Sequence, residues 1–186
     1  KSLGNIIDPL DMIEKYGADA TRLSLIIGAP PGNDMRLSED KVRGYKHFAN
    51  KIWNISRFVL ENTKDINPNY KLSSLNEKDK KLLNDLQNTA EEITKDLEKY
   101  QLYLAAEKLY HYLWHEFADV ILEESKPILN ESDSKIRESR QIFLYEALTT
   151  SLKLLHPFMP FVTEEIWQSL PQKDNEFLIT AKWPTE

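Results

Sequence analysis

Four long stretches of the sequence carry apolar residues at helical spacing, and they constrain the fold more than any other feature. They cover residues 38–60, 76–99, 101–125 and 133–155, separated by polar or proline-containing turns. The connections between them are mostly short, which favours antiparallel packing of neighbouring helices. Period-two alternation and β-branched runs, the marks of strands, are missing from these stretches. The sequence therefore predicts an all-α protein built around an antiparallel helix bundle.

Shorter elements flank the predicted bundle. Asp8 and Pro9 begin a short helix that ends at Gly17, and a second short helix follows over residues 18–27. Glycine and proline then cluster over residues 28–33 and predict a domain boundary. We therefore expect a short helical region over residues 1–37 and a bundle domain over residues 38–186. Residues 160–170 predict another short helix, and residues 177–183 predict a short extended tail.

The composition narrows the class of protein. Hydrophobic residues make up 41% of the chain and charged residues 29%, and the absence of cysteine excludes disulfides and thiolate chemistry. No apolar run approaches the roughly 20 residues that span a bilayer, and no secretory signal pattern opens the chain. We therefore expect a cytoplasmic protein with no membrane partner. The chain begins at Lys1 rather than at methionine, which indicates a piece of a longer polypeptide.

Charge is unevenly distributed along the chain. The formal net charge of −6 taken alone disfavours a nucleic-acid partner, because phosphate binding depends on neutralisation by lysine and arginine. Residues 41–60 nevertheless hold five basic residues and no acidic one, a local +5 that leaves −11 for the rest of the chain. Any affinity for RNA is therefore expected on one face only.

The helix over residues 38–60 has two faces of different character. One stripe, at alternating spacings of three and four residues, is apolar and predicts a core face: Tyr45, Phe48, Ile52, Ile55 and Val59. The opposite side carries cations and amides at the same spacings, a set that we call the polar ladder: Arg43, His47, Asn50, Asn54 and Arg57. Arginine offers paired donors to phosphates or base edges, and asparagine offers a donor and an acceptor together. The polar ladder therefore suits RNA.

Lys51 and Phe58 border the polar ladder. Phe58 lies roughly 90° around the helix from the centre of the apolar stripe, and unpaired RNA bases are commonly recognised by stacking on such rings. A simpler interpretation stays open, in which the polar ladder is a solvated face and Phe58 packs on a neighbouring helix. A further alternative is an acidic helical scaffold that binds proteins and no RNA.

Other groupings of reactive side chains do not form a recognisable metal site or active site. His111 and His115 stand four residues apart, but position 112 is tyrosine rather than the glutamate of a His-Glu-x-x-His metalloprotease, and no third ligand is evident. Adjacent carboxylates such as Glu123 and Glu124 point in different directions along a helix. No catalytic triad and no glycine-rich phosphate loop is present. We therefore predict neither a metal site nor a complete active site.

Motifs near the start resemble the segment that leaves the catalytic domain of class I aminoacyl-tRNA synthetases for valine, isoleucine, leucine and methionine. They are Lys1-Ser2-Leu3-Gly4-Asn5, Asp8-Pro9-Leu10-Asp11 and Tyr16-Gly17-Ala18-Asp19-Ala20-Thr21-Arg22. In those families Lys1 and Ser2 would be the last two residues of the Lys-Met-Ser-Lys-Ser signature. The resemblance implies a catalytic role for this pair, with Lys1 stabilising the triphosphate as the aminoacyl-adenylate forms.

Later motifs narrow the resemblance to the valyl-tRNA synthetases and extend it over nearly the whole chain. They are the segments 31–36, 50–58, 114–119, 124–126 and 156–167. The run Asn50-Lys51-Ile52-Trp53-Asn54-Ile55-Ser56-Arg57-Phe58 is the specific one, since isoleucyl enzymes typically show an Arg-Asn-Thr-x-Arg-Phe pattern there. The same module from an isoleucyl- or leucyl-tRNA synthetase remains the alternative.

The resemblance implies a stem-contact region up to about residue 37, followed by a helical anticodon-binding domain. Valine tRNA would then contact the polar ladder, Lys51 and Phe58. Full enzymes of this family attach valine to its tRNA through a valyl-adenylate, using ATP and magnesium. We expect this chain alone to bind no cofactor, to be catalytically inactive and to be a monomer.

Overall fold

The computed structural model describes residues 7–28, 32, 37–131, 133–171, 173 and 175–185, and its regular elements are all helical. The α-helices are α1 (Pro9–Tyr16), α2 (Ala18–Ile26), α3 (Glu39–Asn62), α4 (Glu77–Glu98), α5 (Leu102–His111), α6 (Glu123–Leu129), α7 (Ser134–Leu155) and α8 (Pro160–Gln168). A π-helical segment, Tyr112–Leu122, joins α5 to α6, and short 3-10 turns cover Leu72–Ser74 and Leu178–Thr180. The prediction of an all-α fold is confirmed.

Most helices begin at the residues that the sequence indicated, because side chains there satisfy the free amides of the first turn. The Asp8 carboxylate accepts from Leu10 N at 2.8 Å, and the Ser38 hydroxyl accepts from Lys41 N at 3.2 Å. Asn76 and Asp133 cap α4 and α7 in the same way. The predicted positions of these four N-termini are confirmed to within a residue or two.

The core of the bundle lies around α7, whose residues are buried on most sides. It packs against α3, α4, α5, α6 and α8, and its buried residues include Phe143, Leu148 and Leu155. The neighbouring helices α4 and α5 are joined by only three residues and pack against each other, so they run antiparallel. Trp167 of α8 closes the core with 1% of its surface exposed.

A buried ion pair ties three helices of the bundle together. Arg140 of α7 donates from Nε to Asp79 Oδ1 of α4 at 2.7 Å, and each side chain is 1% exposed. Arg140 Nη1 also donates to Ser125 Oγ of α6 at 3.0 Å, and Ser139 donates to the other Asp79 oxygen at 2.6 Å. The charges are therefore both paired and hydrogen-bonded, as burial of an ion pair requires.

Two expectations about element ends are wrong. The sequence predicts that the third long helical stretch ends near residue 125, but the helix continues through Pro127 to Leu129. The hydrogen bond that proline removes would have reached the carbonyl of Glu123, an exposed residue that water can satisfy, while the Pro127 carbonyl still accepts from Asn130 N at 3.1 Å. The extended tail is instead interrupted by a 3-10 turn, where Leu178 is buried and its amide donates to Glu164 Oε2 at 3.0 Å.

The short N-terminal helices are joined to the bundle by hydrogen bonds at both ends of the α7–α8 corner. Asp19 of α2 accepts from Phe161 N at 3.2 Å and Val162 N at 2.7 Å, in the first turn of α8. Arg22 donates to the carbonyls of Pro157 and Phe158 at 3.1 and 3.4 Å. Most of the glycine- and proline-rich stretch at residues 28–33 lies outside the described residues, so the domain boundary at residue 37 stays a prediction.

Candidate nucleic-acid interface

The two faces of α3 separate in the structure as the spacing predicts. Phe48, Ile52, Ile55 and Val59 are buried in the core, and Tyr45 is half-buried with its ring edge-on to Tyr110. The opposite side is exposed along its whole length, and it consists of the polar ladder: Arg43, His47, Asn50, Asn54 and Arg57. The structure therefore brings these five predicted residues together on one solvent-facing surface.

Most cations of the basic window already contact other parts of the chain. The Arg43 guanidinium lies 2.6 Å from Asp40 Oδ1, and Lys41 donates to the Ile27 carbonyl at 2.7 Å. Lys46 donates to the Lys15 carbonyl at 3.2 Å. These cations would therefore have to give up a contact within the chain before they could contact a ligand directly.

Arg57 differs from these cations. Its side chain is exposed, and it forms no hydrogen bond or ion pair with any residue that the structure describes. It lies between two grooves, one on each side of the polar ladder, and lines both of them. Its five donors are therefore available to an incoming anion or base edge.

Lys51 bridges α3 to the π-helical segment. Its ammonium lies 2.6 Å from Asp119 Oδ1 and 4.5 Å from the centroid of the Trp114 ring, and the side chain is 25% exposed. The ion pair and the cation–π contact hold the ammonium at the rim of the groove between the two helices. A phosphate can engage Lys51 only by competing with Asp119.

The groove between α3 and the π-helical segment, which we call the polar groove, has a volume of about 370 Å³. Its α3 wall contains Lys51, Asn54, Arg57 and Phe58, and its opposite wall contains Asp119, Glu123 and Lys126. Phe58 is half-buried and packs against the bundle core while also lining this groove. Phe58 therefore packs against the bundle, as the simpler interpretation allows, and its ring also borders the groove.

The second wall of the polar groove is formed by α6, with Glu123 and Lys126, and by the π-helical segment, with Asp119. A π-helix is rare beyond a single turn and recurs at functional sites. His111, the last residue of α5, lies 3.4 Å from Glu116, and His115 of the π-helical segment lies 3.8 Å from Asp119. Each histidine therefore faces a carboxylate. Across the described residues, no three histidine, aspartate or glutamate side chains are grouped as a metal site requires; the absence of metal stays a prediction.

Trp53 is an exposed aromatic residue that the sequence-based choice of contact residues missed. It lies on α3 four residues before Arg57, and 44% of its surface is exposed. The signal was present in its position, because residues four apart share a helix face. Lys1 and Ser2, the expected catalytic pair, lie outside the described residues. Within the described part of the chain, no helix combines the length and apolar character needed to cross a membrane.

Two family models match the chain. Residues 79–186 match the anticodon-binding domain of tRNA ligases, and residues 1–38 match the class I tRNA synthetases for isoleucine, leucine, methionine and valine. The first match contains all but the first two residues of α4, then α5, the π-helical segment and α6 to α8, and the second match contains α1 and α2. The whole of α3, with the polar ladder, lies between the two matches.

Curated relatives carry the name valine–tRNA ligase. The Clostridium tetani protein is 45% identical over 99% of this chain, and the Bacillus cereus protein is 46% identical over the whole of this chain. The Aquifex aeolicus protein is 43% identical over 99% of this chain. The chain spans only about a fifth of the length of these relatives, 21% of the first two and 17% of the third.

Solved structures share the fold. The ternary complex of Agrobacterium radiobacter K84 agnB2 LeuRS-tRNA-LeuAMS matches all of this chain, with a TM-score of 0.78 and 21% identity. The match covers 21% of the solved chain. Mycobacterium tuberculosis methionyl-tRNA synthetase bound by methionyl-adenylate matches 97% of this chain, with a TM-score of 0.76. From the matched domain, the relatives and the all-helical fold together, this chain belongs to the family of anticodon-binding domains of tRNA ligases.

Proposed function

We propose that this chain is the part of a valine–tRNA ligase that binds the anticodon of valine tRNA. The observation that carries this proposal is the continuous exposure of the polar ladder on one face of α3, with Arg57 unpaired among the described residues. The names of the relatives indicate that the amino acid is valine, and the matched family indicates that the bound part of the tRNA is the anticodon. The protein-scaffold alternative has no comparable support.

Each residue of the interface has a proposed role that follows from its side-chain chemistry. Asn50 and Asn54 present amides that pair with a base edge, and Arg57 presents donors to a phosphate or a base edge. Phe58 offers the exposed part of its ring to a base that enters the polar groove. Lys51 exchanges Asp119 for a backbone phosphate when RNA arrives, which keeps its charge compensated in both states.

The remaining ladder residues lie towards the N-terminal end of α3. His47 is exposed, and Arg43 is held by Asp40 in an exposed i, i+3 ion pair. Exposed ion pairs of this kind contribute little stability. Arg43 can therefore turn from Asp40 to RNA at small cost, and we assign both residues to the backbone of the tRNA rather than to its bases.

The whole enzyme would attach valine to this tRNA through a valyl-adenylate. ATP and magnesium would be bound by its catalytic part, to which Lys1 and Ser2 would belong, and the described residues here offer no grouping suited to the metal. We propose that this chain alone has no synthetase activity and is a monomer in the cytoplasm. We also keep the division into a stem-contact region (residues 1–37) and an anticodon-binding domain (residues 38–186).

Binding of the 186-residue chain to a valine tRNA transcript, measured by filter retention at low salt, tests the proposed interface. We expect Asn54→Ala and Arg57→Ala to weaken binding about tenfold or more, because each removes contacts to an unpaired base or its phosphate. Lys81→Gln serves as the matched control, since Lys81 is an exposed cation of α4. Equal affinity for the wild type and both interface variants would refute the assignment.

A further inference from the structure

A second groove lies on the other side of the polar ladder, between α3 and α8. This groove, which we call the apolar groove, has a volume of about 170 Å³ and an almost wholly nonpolar exposed surface. Trp53, Leu60 and Ile166 supply the apolar lining. The other residues around it are Ser56, Arg57, Glu61, Lys64 and Ser169.

Trp53 is the largest exposed element of the apolar groove. Its side chain is 44% exposed, and its indole N–H donates to no residue in the described part of the chain. The indoles of Trp167 and Trp183, by contrast, donate to Asn175 O at 3.1 Å and to Thr94 Oγ1 at 2.8 Å. Trp53 therefore has both an aromatic surface and a donor available to a ligand.

We propose that Trp53 stacks on one unpaired base of the tRNA anticodon loop, seated in the apolar groove, and that Arg57 contacts the phosphate beside that base. This proposal rests on the proposed function and adds to it a second base site. Arg57 lines both grooves, so one cation can hold the backbone while successive bases turn to opposite sides of α3.

The dimensions and charges of the apolar groove favour a base over other occupants. An α-helix with its side chains is about 10–12 Å across, too wide for a groove of this volume, and cofactor pockets are usually about 300–1,000 Å³. A flat aromatic ring system meets the nonpolar lining well. Arg57 and Lys64 supply positive charge for the phosphates on either side, and the Glu61 carboxylate can accept from an exocyclic amino group of the base.

The test replaces the ring of Trp53 while keeping its apolar bulk. Trp53→Leu retains a large nonpolar side chain without an aromatic face, and Trp53→Phe retains a smaller aromatic face. Phe161→Leu, at a side chain of α8 that is 65% exposed and does not line the groove, is the matched control. Each variant of the 186-residue chain is titrated with valine tRNA transcripts that carry 2-aminopurine at one anticodon-loop position at a time, and both affinity and 2-aminopurine fluorescence are recorded.

We expect Trp53→Leu to weaken binding roughly tenfold, within the range for loss of one stacked base. Trp53→Phe should retain most of the affinity, and Phe161→Leu should bind as the wild type does. One loop position should show quenching with the wild type that Trp53→Leu abolishes. If Trp53→Leu binds normally and no position changes its quenching while Arg57→Ala still weakens binding, the base site at Trp53 is wrong and the proposed function stands. If the wild-type chain binds no valine tRNA, both are wrong.

Discussion

The salt dependence of tRNA binding should reveal how many cations of α3 are available to RNA. Each phosphate contact on a single strand changes the slope of log K against log salt by about 0.7, so five available cations would give a slope of about −3.5. Four of the five cations in residues 41–60 already contact other parts of the chain, and Arg57 has no partner among the described residues. We therefore expect a slope between about −0.7 and −2, with Arg57 as the main contributor.

Replacing Arg57 tests that expectation directly. Arg57→Gln should reduce the slope by about 0.7, equivalent to about a 2.6-fold smaller loss of affinity between about 50 and 200 mM salt. Arg43→Gln should change the slope by less than half as much, because Arg43 has to leave Asp40 before it can contact a phosphate. The assay is the titration of a fluorescent valine tRNA at four or more salt concentrations. Equal slopes for Arg57→Gln and Arg43→Gln would refute the assignment of the free charge to Arg57.

Two further predictions concern stability, measured by urea unfolding. Arg140→Ala should lower the free energy of unfolding by about 3–5 kcal/mol because it leaves the buried Asp79 charge unpaired. The double change of Arg140→Met with Asp79→Leu should recover most of that loss. A loss under about 1 kcal/mol for the single variant would contradict this expectation. Burial lowers the pKa of His156 below its ordinary 6.5, outweighing the opposite influence of Glu164 and Asp19, so its contribution to stability is fully present above about pH 6.5 and is lost as the pH falls below that value. Between about pH 7.5 and 5.5, the free energy of unfolding of His156→Gln should therefore fall by less than that of the wild type. An equal fall in both proteins would contradict a role for His156 in this pH dependence.

The sequence predicted the helices where one local rule decides the outcome. Ser38, Asn76 and Asp133 begin helices because a short polar side chain can satisfy the first amides wherever the chain continues as a helix. The spacing of Phe48, Ile52 and Ile55 fixed the buried face of α3, and the exposed face followed from it. These features depend on residues within one or two turns of each other.

Features that depend on distant residues were not predictable from spacing. The pairing of Lys51 with Asp119 joins positions 68 apart in sequence, and it changes Lys51 from a free cation to a bridged one. The π-helical geometry of Tyr112–Leu122 has no composition that distinguishes it from an α-helix. Spacing alone could not decide whether Phe58 packs in the bundle or faces a ligand, because that depends on core residues outside α3. The spacing of Trp53 from Arg57 indicated its exposed position, but the groove beside it could not be predicted because α8 supplies the second wall.

The most direct test of the central claim is the affinity of the chain for valine tRNA before and after its anticodon is exchanged. The 186-residue chain is titrated with the valine transcript, with the same transcript carrying a methionine anticodon, and with a methionine transcript carrying the valine anticodon. An anticodon-reading domain should lose about tenfold or more in affinity on the first exchange, the equivalent of about 1.4 kcal/mol, and regain it on the second. Equal binding of all three transcripts would contradict the claim that this face of α3 reads the anticodon.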